Sequence, residues 1–348
     1  MRPMPRYAML LAPSANRVYA DGAGRLSRAE LAAFAGAGVL GTAIDDIGET
    51  EIGGVGYVSF TTGAAPGPRD VAYLSNLSSA YALFELVDDG LLRPVRLTPL
   101  ARYDSDLISI PKYAGKTNEQ FTRLLLNLTV LASASAPRML DGALVVGDPL
   151  CGRGTTLNQA LMYGYDGIGV EIDGRDVEAY SLFLRTWLKR KRLKHTVELV
   201  PVRRDRKLVA RRLDVTMAAS KDDHKAGAVQ RLTVLHADST RLDGVLRSGC
   251  VDVLVADAPY GVAHGSVTEE GGLSRRPLDL LERAVPQWVP LLRPGGALGL
   301  SWNTKVARRA HAEDILTANG LEIVDYPDLT HRVDQAIERD VVVARKRG

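Results

Sequence analysis

The chain has 348 residues, 46% of them hydrophobic and 24% charged, which are ordinary globular proportions. They exclude a disordered or fibrous protein and suit one large or two modest domains. The net charge is only +3, from 44 Lys+Arg against 41 Asp+Glu, so affinity for nucleic acid must come from uneven placement of charge. Two cysteines, Cys151 and Cys250, exclude a disulfide framework and a four-cysteine zinc site. No apolar run reaches the roughly 18 residues that span a bilayer, and the apolar stretch from Tyr7 to Ala12 is proline-flanked and too short for a signal peptide. The expectation is a soluble cytoplasmic protein without metal or membrane partner.

In chain order, Tyr7 to Ala12 predicts a strand and Leu26 to Phe34 a helix, with Ser27 and Glu30 spaced as a capping box. Gly53 to Phe60 alternates as a strand, Thr61 to Pro68 is turn chemistry, and Val71 to Val87 reads as a helix stopped by Asp88-Asp-Gly90. These make a small α+β domain over residues 1–105. A G-x-G-x-x-G run from Gly36 to Gly41 follows a helix and precedes a strand, the reverse of the dinucleotide-binding order, and is read as a loop. Thr117 to Leu131 has a helix-period apolar face, with Asn118 or Thr117 as its cap.

From residue 142 short apolar strands alternate with helical stretches. Leu144 to Val146 runs into Asp148, Ile168 to Val170 into Glu171, Leu232 to Leu235 into Asp238, and Val251 to Val255 into Asp257, while Ala297 to Ser301 forms a further strand. That pattern specifies an α/β doubly wound, mostly parallel sheet over residues 106–348. Ligands of such sheets sit beyond the carboxyl ends of the strands, so the four carboxylates converge on one crevice. After the first strand, Cys151-Gly-Arg-Gly-Thr155 opens a helix, where glycines Gly152 and Gly154 let a ligand approach the backbone. Leu157 stands where a dinucleotide fingerprint needs its third glycine, which disfavours a dehydrogenase.

The segment from Asp148 to Thr155 resembles the D-P-x-C-G-x-G-T motif of S-adenosylmethionine-dependent class I methyltransferases, which implies a Rossmann-like sheet of seven strands. By that resemblance Asp148, Cys151, Gly152, Gly154 and Thr155 line the cofactor. Glu171 or Asp173 binds its ribose, with the strand-end position favouring Glu171 and leaving Asp173 to cap a helix. Asp238, followed by Ser239, accepts from its adenine amine. Carboxylates suit vicinal hydroxyls and amines because each oxygen accepts more than one hydrogen bond. Lys116 to Thr122 is similar to the element that wraps the methionine end in amino-methyltransferases, which adds Asn118, Phe121 and Thr122 as contacts.

Asp257-Ala-Pro-Tyr260 resembles the D/N-P-P-Y/F motif of enzymes that methylate exocyclic amino groups of bases. An exocyclic amine is a poor nucleophile, so it must be held, desolvated and aimed. The resemblance implies that Asp257 and the carbonyl of Ala258 take the two amine hydrogens, that Pro259 stiffens the loop and that Tyr260 stacks on the base. Ala258 replaces the family's first proline and keeps the carbonyl while losing one fixed φ.

Twelve Lys+Arg lie between Arg185 and Arg212 against two acids, within a basic insertion at about residues 185–230. Lys189, Arg190, Lys191, Arg192, Arg203, Arg204, Arg206 and Lys207 are its candidate phosphate contacts, on a basic helix and an added hairpin. The chain as a whole is most similar to the tRNA guanine-N2 methyltransferases that modify the position-10 guanosine, whose N-terminal half holds an RNA-binding THUMP-type domain. The expected activity is methyl transfer to guanine N2 in tRNA. Adenine-N6 or cytosine-N4 methylation of DNA, a catalytically silent RNA-binding protein on the same fold, and a small-molecule methyltransferase are the alternatives.

Overall fold

The computed structural model describes residues 4–14, 17–87, 91–113, 115–204, 206–258, 266–267, 273–274 and 277–348. The chain divides into two compact units, one of residues up to Leu100 together with Asp325–Asp340, the other of Ala101–Val324 and Val341–Gly348. The expected division into 1–105 and 106–348 is therefore corrected, because a segment late in the chain returns to the first unit.

The first unit runs β1 (Arg6–Leu11), α1 (Arg17–Gly36), β2 (Ile44–Ile52), β3 (Val55–Thr62), α2 (Pro68–Leu74), β4 (Ala80–Val87) and β5 (Leu91–Val95). Its sheet has the order β2-β3-β1-β4-β5, with every pair antiparallel. The helix expected over Val71 to Val87 is corrected to the short α2 and the strand β4. Ser75 and Asn76 turn their side chains back onto the carbonyls of Val71 and Ala72, closing the helix, and the residues beyond pair with β1 and β5. The capping box is likewise corrected. α1 begins ten residues before Ser27, and the fully buried Glu30 accepts from the backbone N–H of Ser78 at 2.9 Å and from its hydroxyl at 2.6 Å. The Gly36–Gly41 run is the loop between α1 and β2. Arg25 of α1 donates to the carbonyls of Asp328, at 2.7 Å, and Thr330, and Tyr19 meets His331 edge-on at 6.0 Å, which ties in the returning segment.

The second unit continues with α3 (Asp106–Ser109), α4 (Glu119–Ala132), β6 (Val145–Asp148), α5 (Thr155–Met162), β7 (Asp166–Glu171), α6 (Gly174–Arg190), β8 (His195–Arg204), β9 (Lys207–Met217), α7 (Lys221–Lys225), β10 (Gln230–His236) and β11 (Val251–Asp257). After the small hairpin β12 (Ser266–Val267) and β13 (Leu273–Ser274) come α8 (Pro277–Trp288), β14 (Leu292–Asn303), α9 (Arg309–Ala318), β15 (Leu321–Val324), β16 (His331–Arg332) and β17 (Glu338–Lys346). β16 and the first residues of β17 belong to the returning segment.

The sheet has the order β15-β17-β14-β11-β6-β7-β10-β9-β8. Its middle, from β14 to β10, is parallel. The β8–β9 and β9–β10 pairs are antiparallel, as is β15 with β17. The expected seven-stranded sheet is thus larger and mixed, because the basic insertion forms two strands that extend the sheet beyond β10. The two faces bury separate cores. Leu254, Ala256, Leu281, Val285, Trp288 and Leu300 share one, and Leu157, Val177, Leu184, Leu213, Val215 and Leu232 share the other. The buried α4 packs on β14 where Gly299 admits the close approach of Thr129. Replacing Gly299 with alanine forces a methyl onto that hydroxyl. It is expected to lower unfolding stability by about 1–3 kcal/mol in urea titration, and a loss below about 0.5 kcal/mol would show that α4 does not seat on β14 there.

Candidate active site

Order reverses about β6. The chain moves from β6 to β7 and β10 on one side, then crosses to β11 and β14 on the other. That reversal is a topological switch point at the carboxyl ends of β6 and β11, the place where doubly wound sheets bind their ligands. Asp148 and Asp257 are the last residues of those two strands, and Glu171 is the last residue of β7.

Asp148 is buried, and burial pushes its carboxyl up to about 7, helped by the nearby charges of Asp257 and Glu171. The N–H of Leu150 at 3.0 Å and the Thr156 side chain work in the opposite direction. Glu171 is also raised by burial, while accepting from the N–H groups of Gly152 and Asp173, each at 2.8 Å. The N–H of Ile172 also bonds to it, so the carboxylate keeps about one acceptor site for a ligand hydroxyl. Asp173 instead caps α6, accepting from the Arg175 N–H at 2.9 Å, and hydrogen bonding by Arg175 holds its carboxyl below the ordinary range.

The loop between Asp148 and α5 is shaped by two glycines. Gly154 has φ +81°, and a β-carbon there would run into the Tyr180 ring. Gly152 has φ +49° and open space where its side chain would be, so its backbone is accessible to a ligand. Cys151 is buried, and burial together with Asp148 and Glu171 raises its thiol well above the ordinary value, which keeps it a neutral packing residue. Thr155 shares a 2.7 Å hydrogen bond with the Tyr113 hydroxyl, and Arg153 lies over the Tyr113 ring while pairing with Asp176 at 2.8 Å. Asp238, beyond β10, takes the N–H and hydroxyl of Thr240 on one oxygen, at 2.9 and 2.8 Å. Ser239 is buried and its carbonyl accepts from Trp288.

Asp257 is gripped by two hydroxyls. Thr117 donates to one carboxylate oxygen at 2.5 Å and Ser301 to the other. The parallel register sets Ser301 of β14 beside Asp257, and the N–H of the buried Ala258 donates to the Ser301 carbonyl at 2.8 Å. Pro259 and Tyr260 lie outside the described residues. Ser301 carries no local signal as a site residue, because only the register of β14 on β11 sets it beside Asp257. The sequence pattern offers Thr117 only as a rival cap. Asn118 caps α4 by accepting from Phe121 N–H at 3.0 Å, which frees Thr117 for Asp257. Phe121 and Thr122 are corrected as cofactor contacts: Phe121 is wholly buried, and Thr122 turns its hydroxyl onto the Asn118 carbonyl.

The basic residues are spread over α6, the turn after it and the β8–β9 hairpin. Lys189, Arg190, Arg192, Arg203 and Arg206 are exposed. The backbones of Arg204 and Lys207 pair in register beside the hairpin turn. Lys191 is corrected as a phosphate contact, because it bridges Asp104 and Asp106 at 2.7 Å each. Among the described residues, no helix is long and apolar enough to cross a membrane, and no group of three or more His, Cys, Asp or Glu is arranged to hold a metal ion.

Residues 138–295 match the family model described as RMKL-like, methyltransferase domain. The match takes in the glycine loop, Glu171, Asp238 and Asp257. Among solved structures, the chain is similar to a Burkholderia thailandensis 1,6-didemethyltoxoflavin-N1-methyltransferase with bound 1,6-didemethyltoxoflavin and S-adenosylhomocysteine. Identity is 15%, with 78% of this chain and 97% of that chain covered at a TM-score of 0.39. It is also similar to the N-methyltransferase NodS of Bradyrhizobium japonicum, with 10% identity, 66% of this chain and 96% of that chain covered, and a TM-score of 0.38. Likenesses as distant as these two say nothing of substrate or mechanism. No curated protein matches the chain. The family match supports a methyltransferase domain over residues 138–295, with S-adenosylmethionine as its cofactor.

Proposed function

We propose that the protein methylates an exocyclic amino nitrogen of a nucleobase, guanine N2 in tRNA being the favoured target. The observation that carries this reading is Asp257: a carboxylate at the reversal of the sheet, fixed by two hydroxyls and followed by the Ala-Pro-Tyr sequence. The basic insertion, and the resemblance of the N-terminal sequence to RNA-binding THUMP-type domains, support RNA rather than DNA or a small molecule.

The residues fit the cofactor. Gly152 offers open backbone, Glu171 keeps acceptor capacity for ribose hydroxyls, and Asp238 keeps it for an amine. Glu171, and Asp148 once it ionises, make this end of the crevice negative, which suits a ligand that carries positive charge and no phosphate. When bound, S-adenosylmethionine supplies an electrophilic methyl group. The chain's own part is to make the amine a nucleophile. Asp257 and the Ala258 carbonyl accept its two N–H groups, turning the nitrogen lone pair out of conjugation with the ring, and Tyr260 stacks on the base. Once nitrogen has gained a bond it must lose a proton, and the Asp257 carboxylate accepts it. Thr117 and Ser301 are positioning residues that hold the carboxylate in one orientation.

Transfer of tritiated methyl from S-adenosylmethionine into unfractionated tRNA, with none into bulk DNA, is the expected result; labelling of DNA alone, or of neither, would overturn the tRNA reading. Asp257→Ala is expected to lower kcat by roughly 100-fold or more while leaving cofactor affinity unchanged by calorimetry. Ser301→Ala should lower kcat by about tenfold, the loss of one hydrogen bond to a charged group. Full activity in Asp257→Ala would remove the amine-holding mechanism.

A pH dependence arises from Asp148. Between its ordinary value of 3.8 and about 7 the folded protein keeps a proton that the unfolded chain has lost, so this group's contribution to stability falls as pH rises through that window. A cationic ligand at this end of the site would favour the ionised carboxylate, so binding of S-adenosylmethionine would be coupled to loss of the Asp148 proton. Affinity for S-adenosylmethionine should rise between about pH 5.5 and 8, and rise less for uncharged-sulfur S-adenosylhomocysteine. Asp148→Asn should flatten the difference, and equal pH profiles for the two ligands in the wild type would refute it.

A further inference from the structure

A concavity of about 250 Å³ opens between α6 and the β8–β9 hairpin. One face of α6 supplies Glu178, Leu182 and Arg185, and the hairpin and β10 supply Leu199, Arg211 and His236. Leu182 and Leu199 are 67% and 53% exposed, unusual for large aliphatic side chains that face each other across a groove. The face of β9 that packs under α6 continues through the buried Met217, Val215 and Leu213 and then reaches Arg211, with Leu199 opposite Leu213. The groove is therefore the end of an apolar layer that the helix does not cover.

Register gives it a position. β9 pairs Arg211 with His236, and β10 pairs His236 with Glu171. Adjacent strands lie about 4.8 Å apart, so Arg211 stands roughly 10 Å along the same edge from the carboxylate assigned to the cofactor ribose. Among the described residues no carboxylate pairs with Arg185 or Arg211. Arg185 makes only a 3.5 Å hydrogen bond to Ser181. Exposed cations continue away from the groove along the hairpin at Arg203 and Arg206, and behind it at Lys189, Arg190 and Arg192.

We infer that this groove is a nucleotide subsite for the RNA that carries the target base. It takes one unpaired base against Leu182 and Leu199, with the flanking phosphates at Arg185 and Arg211. The inference rests on the proposed RNA substrate. Apolar walls with a few acceptors, Glu178, Ser181 and His236, fit a base, whose faces are apolar and whose edge bears N–H donors. Unpaired cations at the rim fit the backbone on either side. An acidic peptide would use the cations but would set its carboxylates against Glu178.

The test uses the full-length protein and unfractionated tRNA, with affinity measured across a range of salt. Leu182→Ser with Leu199→Ser is expected to weaken tRNA binding at least fivefold at every salt concentration without changing the slope of log K against log salt. Arg185→Ala with Arg211→Ala should weaken binding and reduce that slope by about 1.4–1.8, the loss of two phosphate contacts. Both double variants should bind S-adenosylmethionine as the wild type does, which verifies folding, and the methionine pair Leu182→Met with Leu199→Met should restore tRNA affinity. If the wild type binds and methylates tRNA and the serine variant binds it equally well, the subsite is wrong and the proposed function stands. No tRNA binding by the wild type would overturn both. An oligoglutamate peptide that binds the wild type and displaces tRNA from it, but fails to bind the serine variant, would make the groove a protein-docking site and overturn the RNA assignment.

Discussion

Two carboxylates, Asp148 buried and Glu171 partly so, held by hydrogen bonds rather than by cations, set the character of this protein. Asp148 and Glu171 end neighbouring parallel strands; Asp148 accepts from the Leu150 N–H and the Thr156 side chain, and Glu171 from N–H groups of Gly152, Ile172 and Asp173. Among the described residues no lysine or arginine pairs with either. Removing a carboxylate from water without a countercharge is costly, and the protein meets that cost partly by keeping Asp148 protonated up to about pH 7. The result is an edge whose negative charge is available to a cationic ligand. A P-loop or dinucleotide site at the same place in a sheet would present N–H groups and positive dipole to phosphates instead.

Asp257 belongs to the same edge and is held differently. Its oxygens receive hydroxyls from Thr117, ahead of α4, and from Ser301, on β14. Three segments distant in the chain therefore fix one carboxylate, and they meet because α4 packs against the β11–β14 side of the sheet through the gap at Gly299. A hydroxyl donor orients a carboxylate while leaving its charge intact, which an arginine would not. That is the arrangement the proposed function asks of Asp257, which in that proposal accepts from an amine and later receives its proton.

The basic insertion turns charge into architecture. Its strands β8 and β9 are added to the sheet beyond β10, so their apolar side continues the core under α6 while cations occupy the outer positions and the turn. Not every cation is surplus. Lys191 is spent on Asp104 and Asp106, and Arg212 on Asp214. The remaining exposed ones border the groove and the hairpin.

Local pattern carried much of this structure. The β6, β7, β10 and β11 strands, the glycine loop, the α4 cap at Asn118 and the strand-end carboxylates are readable because each depends on residues within a few positions of one another: an apolar run, a turn, a cap. Where local pattern misleads, long-range pairing has overridden local preference. Residues 80–87 have a helical look but become β4 because β1 and β5 offer hydrogen-bond partners on both sides. Glu30 looks like a cap but is buried as the acceptor of Ser78. Ser301 beside Asp257, Lys191 on its two aspartates and the return of residues 325–340 to the first unit could not be read from spacing, since nothing in a linear sequence states which distant strand tips become neighbours. Sequence by itself determined the elements and the chemistry at their ends. Only the tertiary structure decided which of those ends share an edge, because strand order and register are set by the burial of both sheet faces at once.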